Sequence, residues 1–187
     1  MFHSIHQSIR TFGTFSDSEL AQITARLEHR ILKKGDRLIR EGHICRSFYF
    51  VNAGAFRQFQ FLNDGSEATL DLFVENDWIT ESKSLITQQP AATTIEATEN
   101  GELLELGLIA FHELIKSSDL SFRVAKLFQV AVRNNDFQNN RNTPEAKYER
   151  LLATRPDIIR KFPLKIIASY LAMTPETLSR VRRKMIS

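Results

Sequence analysis

Hydrophobic positions change their period twice along this chain. From Phe2 to Leu27 they recur at helical spacing in two short runs, Phe2 to Thr11 and about Asp17 to Leu27. Ser16-Asp17-Ser18-Glu19 opens the second run with the side chains of a capping box, and Phe15 and Leu20 are placed to staple it. From His29 to Leu106 the pattern alternates, with turn signals such as Lys34-Gly35-Asp36, Ala53-Gly54, Asn63-Asp64-Gly65 and Glu99-Asn100-Gly101. The segments Ser47 to Asn52, Ala55 to Leu62 and Ala68 to Val74 between them read as strands. Short strands at this spacing predict a double-sheet jelly roll or small barrel. Helical spacing returns over Leu108 to Ile115. It continues in a longer segment ending near Asn140, where Leu120, Val124, Leu127 and Ala131 make a heptad-like seam that turns polar at Asn134, Asn135 and Asp136.

The last stretch, Phe162 to Ser187, carries two apolar stripes, one at Leu164, Ile167, Ala168 and Leu171 and one at Leu178, Val181 and Met185. The break at Ala172 to Thr174 predicts two short helices joined by a tight turn, with the small Ala168 where they cross. Thr174 can cap the second helix, and Pro175 suits its first position because it has no N–H to leave unpaired. Such turns usually favour glycine; with Ala172 there, a right-handed turn is expected. The outward face then holds Glu176, Thr177, Ser179, Arg180 and Arg183, a mixture of donors, one acceptor and cations suited to base edges and phosphates. The competing reading is an amphipathic hairpin that completes a core.

Charge bears on that choice. Residues 144–187 hold ten Lys or Arg against four Asp or Glu, whereas residues 1–143 hold fifteen against eighteen, so the basic charge is segregated at one end. A chain of 187 residues with 42% hydrophobic content allows one domain or two small ones. No apolar run reaches the roughly 18 residues of a membrane span, and MFHSIHQSIR lacks a signal peptide's apolar core. A cytoplasmic protein without membrane association is expected. The single cysteine, Cys45, excludes an internal disulfide and cannot alone hold an iron–sulfur cluster. It reads as a barrel residue, with a redox sensor as the minor alternative. His3 and His6 share a helix face but have no further clustered ligand, so no metal site is expected. No Ser/His/Asp order and no phosphate-cradling glycine loop is present, and no enzyme is expected. Phe48, Tyr49, Phe50, Phe56, Phe59, Phe61 and Phe73 lie in the alternating region with no comparable basic excess interleaved among them, which suits core and pocket lining rather than base stacking.

The order of parts resembles the Crp/Fnr family of bacterial transcription regulators, whose sensory half has the cyclic-nucleotide-binding fold. The marks are Leu32-Lys33-Lys34-Gly35-Asp36 with Leu38-Ile39-Arg40-Glu41-Gly42, then Phe48-Tyr49-Phe50-Val51-Asn52-Ala53-Gly54, and Pro175-Glu176-Thr177-Leu178-Ser179-Arg180. The resemblance implies an α+β protein with an N-terminal double-stranded β-helix (jelly-roll) barrel over 1–116. A dimerisation helix and hinge would follow over 117–142, and a helix-turn-helix DNA-binding domain over 143–187, entered at the cap Thr143 and Pro144. It implies a homodimer on a palindromic operator, with RNA polymerase as a further partner, and base reading by Glu176 and Arg180. Many members place an Arg where this chain has Pro175, so the family's usual base preference does not carry over. Members often carry a β-hairpin wing after the reading helix; the candidates here for anchoring to the DNA backbone are Lys165, Thr174, Arg182, Arg183 and Lys184, with a solvated face as the alternative for Arg182 and Lys184.

For the effector, the resemblance implies a cassette in which a short helix N-terminus and an Arg hold a cyclic phosphate and a Glu holds the ribose. Glu81 matches the Glu, but Thr80 replaces a glycine and Ala91 replaces the arginine. The missing fork forfeits charge-assisted hydrogen bonds of roughly 1.5 to 3 kcal/mol each. Cyclic AMP binding is therefore not expected. The remaining cavity, with Glu81, Ser82, Lys83 and Thr93 as candidate lining, takes an unidentified small effector, or is filled by Trp78 and neighbouring Phe residues and takes none. No haem ligand can be singled out among His29, His43 and His112. The alternative function is a degenerate effector module that contacts a protein instead of DNA.

Overall fold

The computed structural model describes residues 2–116 and 142–186. The seam from Leu120 to Ala131 and the polar residues after it lie outside the described residues. Two helices lead the chain, α1 (His3–Arg10) and α2 (Asp17–Thr24). The capping box forms: Ser16 Oγ accepts the Glu19 N–H at 3.3 Å, and the Glu19 carboxylate accepts the Ser16 N–H at 2.7 Å. Phe15 and Leu20 are buried beside it.

Eight strands follow, β1 (Glu28–Leu32), β2 (Arg37–Ile39), β3 (Ser47–Ala53), β4 (Phe56–Phe61), β5 (Glu67–Phe73), β6 (Trp78–Ile79), β7 (Thr94–Ala97) and β8 (Gly101–Gly107), with α3 (Ser82–Thr87) between β6 and β7. They are divided between two four-stranded sheets, ordered β1-β8-β3-β6 and β2-β7-β4-β5, with every pairing antiparallel. The expected barrel is thus a jelly-roll sandwich whose chain crosses from one sheet to the other at most turns. Gly54 shows why one such corner needs glycine. Its φ is +99°, and a Cβ there would come within 2.6 Å of the Gly101 Cα.

Strand alternation sorts the aromatics. Phe48 packs 4.9 Å from Phe111 of α4 (Leu108–Lys116) with the rings tilted by 42°, and Phe50 meets Trp78 edge-on at 5.3 Å. Trp78 Nε1 donates to Ser8 Oγ of α1 at 2.9 Å. Trp78 therefore belongs to the helix-covered face of its sheet and does not fill the effector cavity, because its N–H finds its partner on the helical side. Each fully buried Phe of this layer contributes roughly 1.5 to 3 kcal/mol by area, an upper bound set by the extended-chain reference.

The C-terminal part holds α5 (Pro144–Thr154), α6 (Pro156–Lys161), α7 (Leu164–Tyr170) and α8 (Pro175–Ile186). Thr143 Oγ1 accepts the Ala146 N–H at 3.2 Å, as the Thr-Pro start requires. Leu151, Ile158, Ile167, Ala168, Leu171, Leu178 and Val181 form its core. The same cluster takes in Ala55, Leu72 and Val74 from the sandwich, so the helices sit on the outer face of the β4–β5 sheet. Two expectations fail here. Met185 is 39% exposed and is not an inward position. Ala172 is left-handed, with φ +52°, rather than right-handed. The reason is the way α7 stops: Met173 N–H donates to Ala168 O and Ala172 N–H to Ser169 O, both at 3.0 Å, the paired bonds of a Schellman motif.

Candidate functional site

The C-terminal helix begins where its cap dictates. Thr174 Oγ1 accepts the Thr177 N–H at 3.2 Å, and Pro175 takes the first helical position. With Leu178 and Val181 buried, the residues at spacings of four and three, Glu176, Arg180 and Arg183, are exposed in one row, flanked by half-buried Thr177 and Ser179. The Glu176 carboxyl is held below the ordinary carboxylate range by hydrogen bonds from its own backbone N–H and from Thr174. An ionised acceptor thus stands one turn ahead of a guanidinium. Lys184 is committed elsewhere, to Glu145 at 3.2 Å, while Arg182 is exposed. Lys165 is exposed in the first turn of α7 but lines a cleft of about 900 Å³ between helices and sandwich, together with Lys34 and Arg57. It is set apart from the row on α8.

A buried lysine that sequence patterning missed holds this unit together. Lys147 is 5% exposed, and its Nζ donates at 3.0 Å to the Leu171 carbonyl at the end of α7. A cation at a helix C-terminus meets the carbonyls left unpaired there. Beside it, Arg155 and Lys161 fasten α6 to the sandwich. Arg155 reaches Asp77 at 2.6 Å, and Lys161 bridges Glu75 and Glu99, the latter at 2.9 Å. Ser169 Oγ accepts the Thr69 N–H at 2.9 Å. Burial alone would raise the Glu75 pKa, but hydrogen bonds from Lys161 and from backbone N–H groups hold it below its ordinary value. Burial works against the Lys161 charge too, yet its two carboxylate partners raise its pKa. Sequence patterning missed α6; Pro156, a first-turn proline after Arg155, is a signal that could have found it, and nothing in the pattern marks the partners.

The cassette segment has turned its polar groups inward upon itself. The Glu81 carboxylate caps α3, accepting the Ser84 N–H at 2.5 Å. Ser84 Oγ accepts the Cys45 N–H at 2.9 Å and donates to Gln89 O. Thr80 Oγ1 donates to Ser47 O at 3.0 Å, and Thr93 Oγ1 accepts from Gln58 at 2.8 Å. Ala91 is buried, its N–H and carbonyl bonded to His43 and Gly42, and Lys83 is exposed. A cyclic nucleotide does not fit these residues. The carboxylate that would hold a ribose fills the helix N-terminus that would hold a phosphate, and no cation faces it from position 91. Ser82 is half-buried beside Glu81. Cys45 is buried against Thr80, with Sγ 3.3 Å from Oγ1. Among the described residues no group of three or more His, Cys, Asp or Glu is placed to hold a metal ion, and no helix is long and apolar enough to cross a membrane.

Fold and cassette position together define a cyclic-nucleotide-binding type of sandwich with appended helices. Residues 29–118 match the family model described as the cyclic nucleotide-binding domain. A cAMP-dependent protein kinase regulatory subunit from Debaryomyces hansenii is 25% identical over 115 residues, 62% of this chain and 24% of that protein, so the chain spans about a quarter of the relative's length. Among solved structures, a catabolite activator protein from Thermus thermophilus aligns at 21% identity and TM-score 0.58, covering 96% of this chain and 86% of that one. FixK2 from Bradyrhizobium japonicum aligns at 18% identity and TM-score 0.65, covering 85% and 84%. At these identities the likeness to solved structures is one of fold.

Proposed function

We propose that the protein is a DNA-binding transcription regulator of the Crp/Fnr type. It binds a palindromic duplex site as a homodimer, and its sandwich answers to something other than cyclic AMP. The observation that carries this reading is the exposed row Glu176, Arg180 and Arg183 on a capped helix in the basic end of the chain. An arginine fork pairs with guanine O6 and N7, and a carboxylate accepts from a cytosine amino group. The seam from Leu120 to Ala131 would join two copies, setting two reading helices about 34 Å apart on one face of DNA. RNA polymerase would be the further partner.

A salt titration of binding to duplex selected from a random pool tests it. Affinity should fall steeply with salt, because phosphate contacts release counterions. Arg180→Ala should weaken the selected site by about 1 to 3 kcal/mol and relax base choice, whereas Arg182→Ala should lower affinity about uniformly. Equal effects of Arg180→Ala on selected and random duplex would end the base-reading assignment. The relative named as a kinase regulatory subunit favours a second reading, a module that serves a protein partner; that reading expects little DNA binding at any salt.

A further inference from the structure

A second cavity, of about 370 Å³, opens between β2 of one sheet and β3 and β8 of the other. None of Glu81, Ser82, Lys83 or Thr93 lines it, so it is distinct from the cassette. Three arginines stand at its mouth, Arg37, Arg40 and Arg46, all exposed. Among the described residues none of the three has a carboxylate partner, whereas Arg10, Arg26, Arg30, Arg57 and Arg155 each have one. Like charges gathered round one opening repel one another, and an anion seated between them turns that repulsion into attraction.

The floor has different chemistry. Ser47 Oγ donates to Glu105 Oε1 at 2.6 Å, and Glu105 Oε2 lies 3.2 Å from Arg30 without a hydrogen bond of its own. Burial first, and the neighbouring Glu105 second, push the Tyr49 hydroxyl far above its ordinary pKa, so it stays a neutral donor. Cations at the mouth and a carboxylate acceptor at the base suit a molecule with an anionic end and a hydroxyl or ammonium beyond it. The volume falls in the range of small-molecule sites, about 300 to 1,000 Å³, and far exceeds a lone phosphate.

The mouth is also held rigid. Gly42 N–H donates to Ala91 O at 2.8 Å, Ala91 N–H to His43 O at 2.9 Å and His43 N–H to Arg40 O at 3.1 Å, with Gly42 at φ +82°. A rim fixed before binding lowers the ordering cost of the ligand. Cys45, which lines the cavity, donates its N–H to Ser84 of α3, so the rim and the cassette helix share a hydrogen bond.

We propose that this cavity binds a small, multiply charged organic anion, its phosphate or carboxylate oxygens seated on Arg37, Arg40 and Arg46. The site does not depend on whether α8 reads DNA, and its test contains no DNA. Isothermal titration of the full chain with pyrophosphate and, separately, with citrate, at constant ionic strength set by sodium chloride, reads the site and distinguishes phosphate from carboxylate. Saturable binding of at least one probe is expected, weakened tenfold or more in Arg40→Ala/Arg46→Ala. The control Lys116→Ala/Arg160→Ala removes the same charge elsewhere and should leave binding unchanged. Should the alanine pair not fold, Arg40→Lys/Arg46→Lys keeps the charge, loses the planar fork and should still bind several-fold more weakly. No saturable binding of either probe, or an equal loss in the control, overturns the site.

Discussion

Substituting glycine for Ala172 tests the turn between α7 and α8 by its sign. The residue sits at φ +52° and is exposed, so its methyl group gains no burial to set against the conformation. A left-handed alanine costs roughly 1 to 2 kcal/mol relative to the right-handed region, a cost glycine does not carry. Glycine also enlarges the entropy of the unfolded chain, which takes back about 0.4 to 1 kcal/mol. The difference predicts that Ala172→Gly stabilises the C-terminal helices by about 0.5 to 1 kcal/mol. Urea unfolding followed by the helical circular dichroism band should show the midpoint rising by roughly 0.3 to 0.5 M with unchanged slope, for a slope near 2 kcal/mol/M. Ala172→Val should move it the other way by more than about 1 kcal/mol, because a β-branched side chain at positive φ is an outlier. A lower midpoint for the glycine variant would refute the left-handed assignment and the Schellman bonding that explains it.

The Lys161 bridge gives a pH dependence of determined sign. Because the folded state depresses the Glu75 pKa, its stabilisation is present above the ordinary 4.5 and is lost as pH falls through the folded value. Because it raises the Lys161 pKa, that contribution is complete below the ordinary 10.5 and is lost as pH rises through the folded value. Both groups are partly exposed, so Lys161→Ala should cost only about 1 kcal/mol at neutral pH. The difference from wild type in thermal melts should shrink in acid and again in strong alkali. Lys147→Met, which keeps the buried stem but leaves the Leu171 carbonyl without its cation, should destabilise by about 1 to 2 kcal/mol in the same urea titration. A titration of the wild-type chain with cyclic AMP should give no saturable heat, and micromolar binding would contradict the self-capped cassette.

What the sequence disclosed and what it concealed divide by the range of the interaction. Ser16, Thr143 and Thr174 cap their helices because a cap is decided within three residues, and the strands follow alternation that is equally local. The docking of the helices on the sandwich was concealed, although β5 and the residue after it hinted at it: Leu72 and Val74 alternate with Asp71 and Phe73, so both faces of the strand are covered. Only a partner distant in the chain could say by what. Nothing in the pattern marks Lys147, since its partner is a carbonyl 24 residues away. The cassette was legible as a lost arginine, but not as a carboxylate turned to cap its own helix. That depends on where α3 begins relative to Glu81. Ala172 failed at short range instead: the paired bonds that end α7, from Met173 N–H to Ala168 O and from Ala172 N–H to Ser169 O, place a left-handed residue there, and an alanine gives no sign of it.

Lys161 touches two corners at which the chain leaves one sheet for the other, Glu75 between β5 and β6 and Glu99 between β7 and β8. A single ammonium cannot follow two anchor points that move apart. Each corner joins a strand of one sheet to a strand of the other, so the mounting of the C-terminal helices rests on two separate crossings of the sandwich, and losing either carboxylate would leave the end of α6 held there at one point.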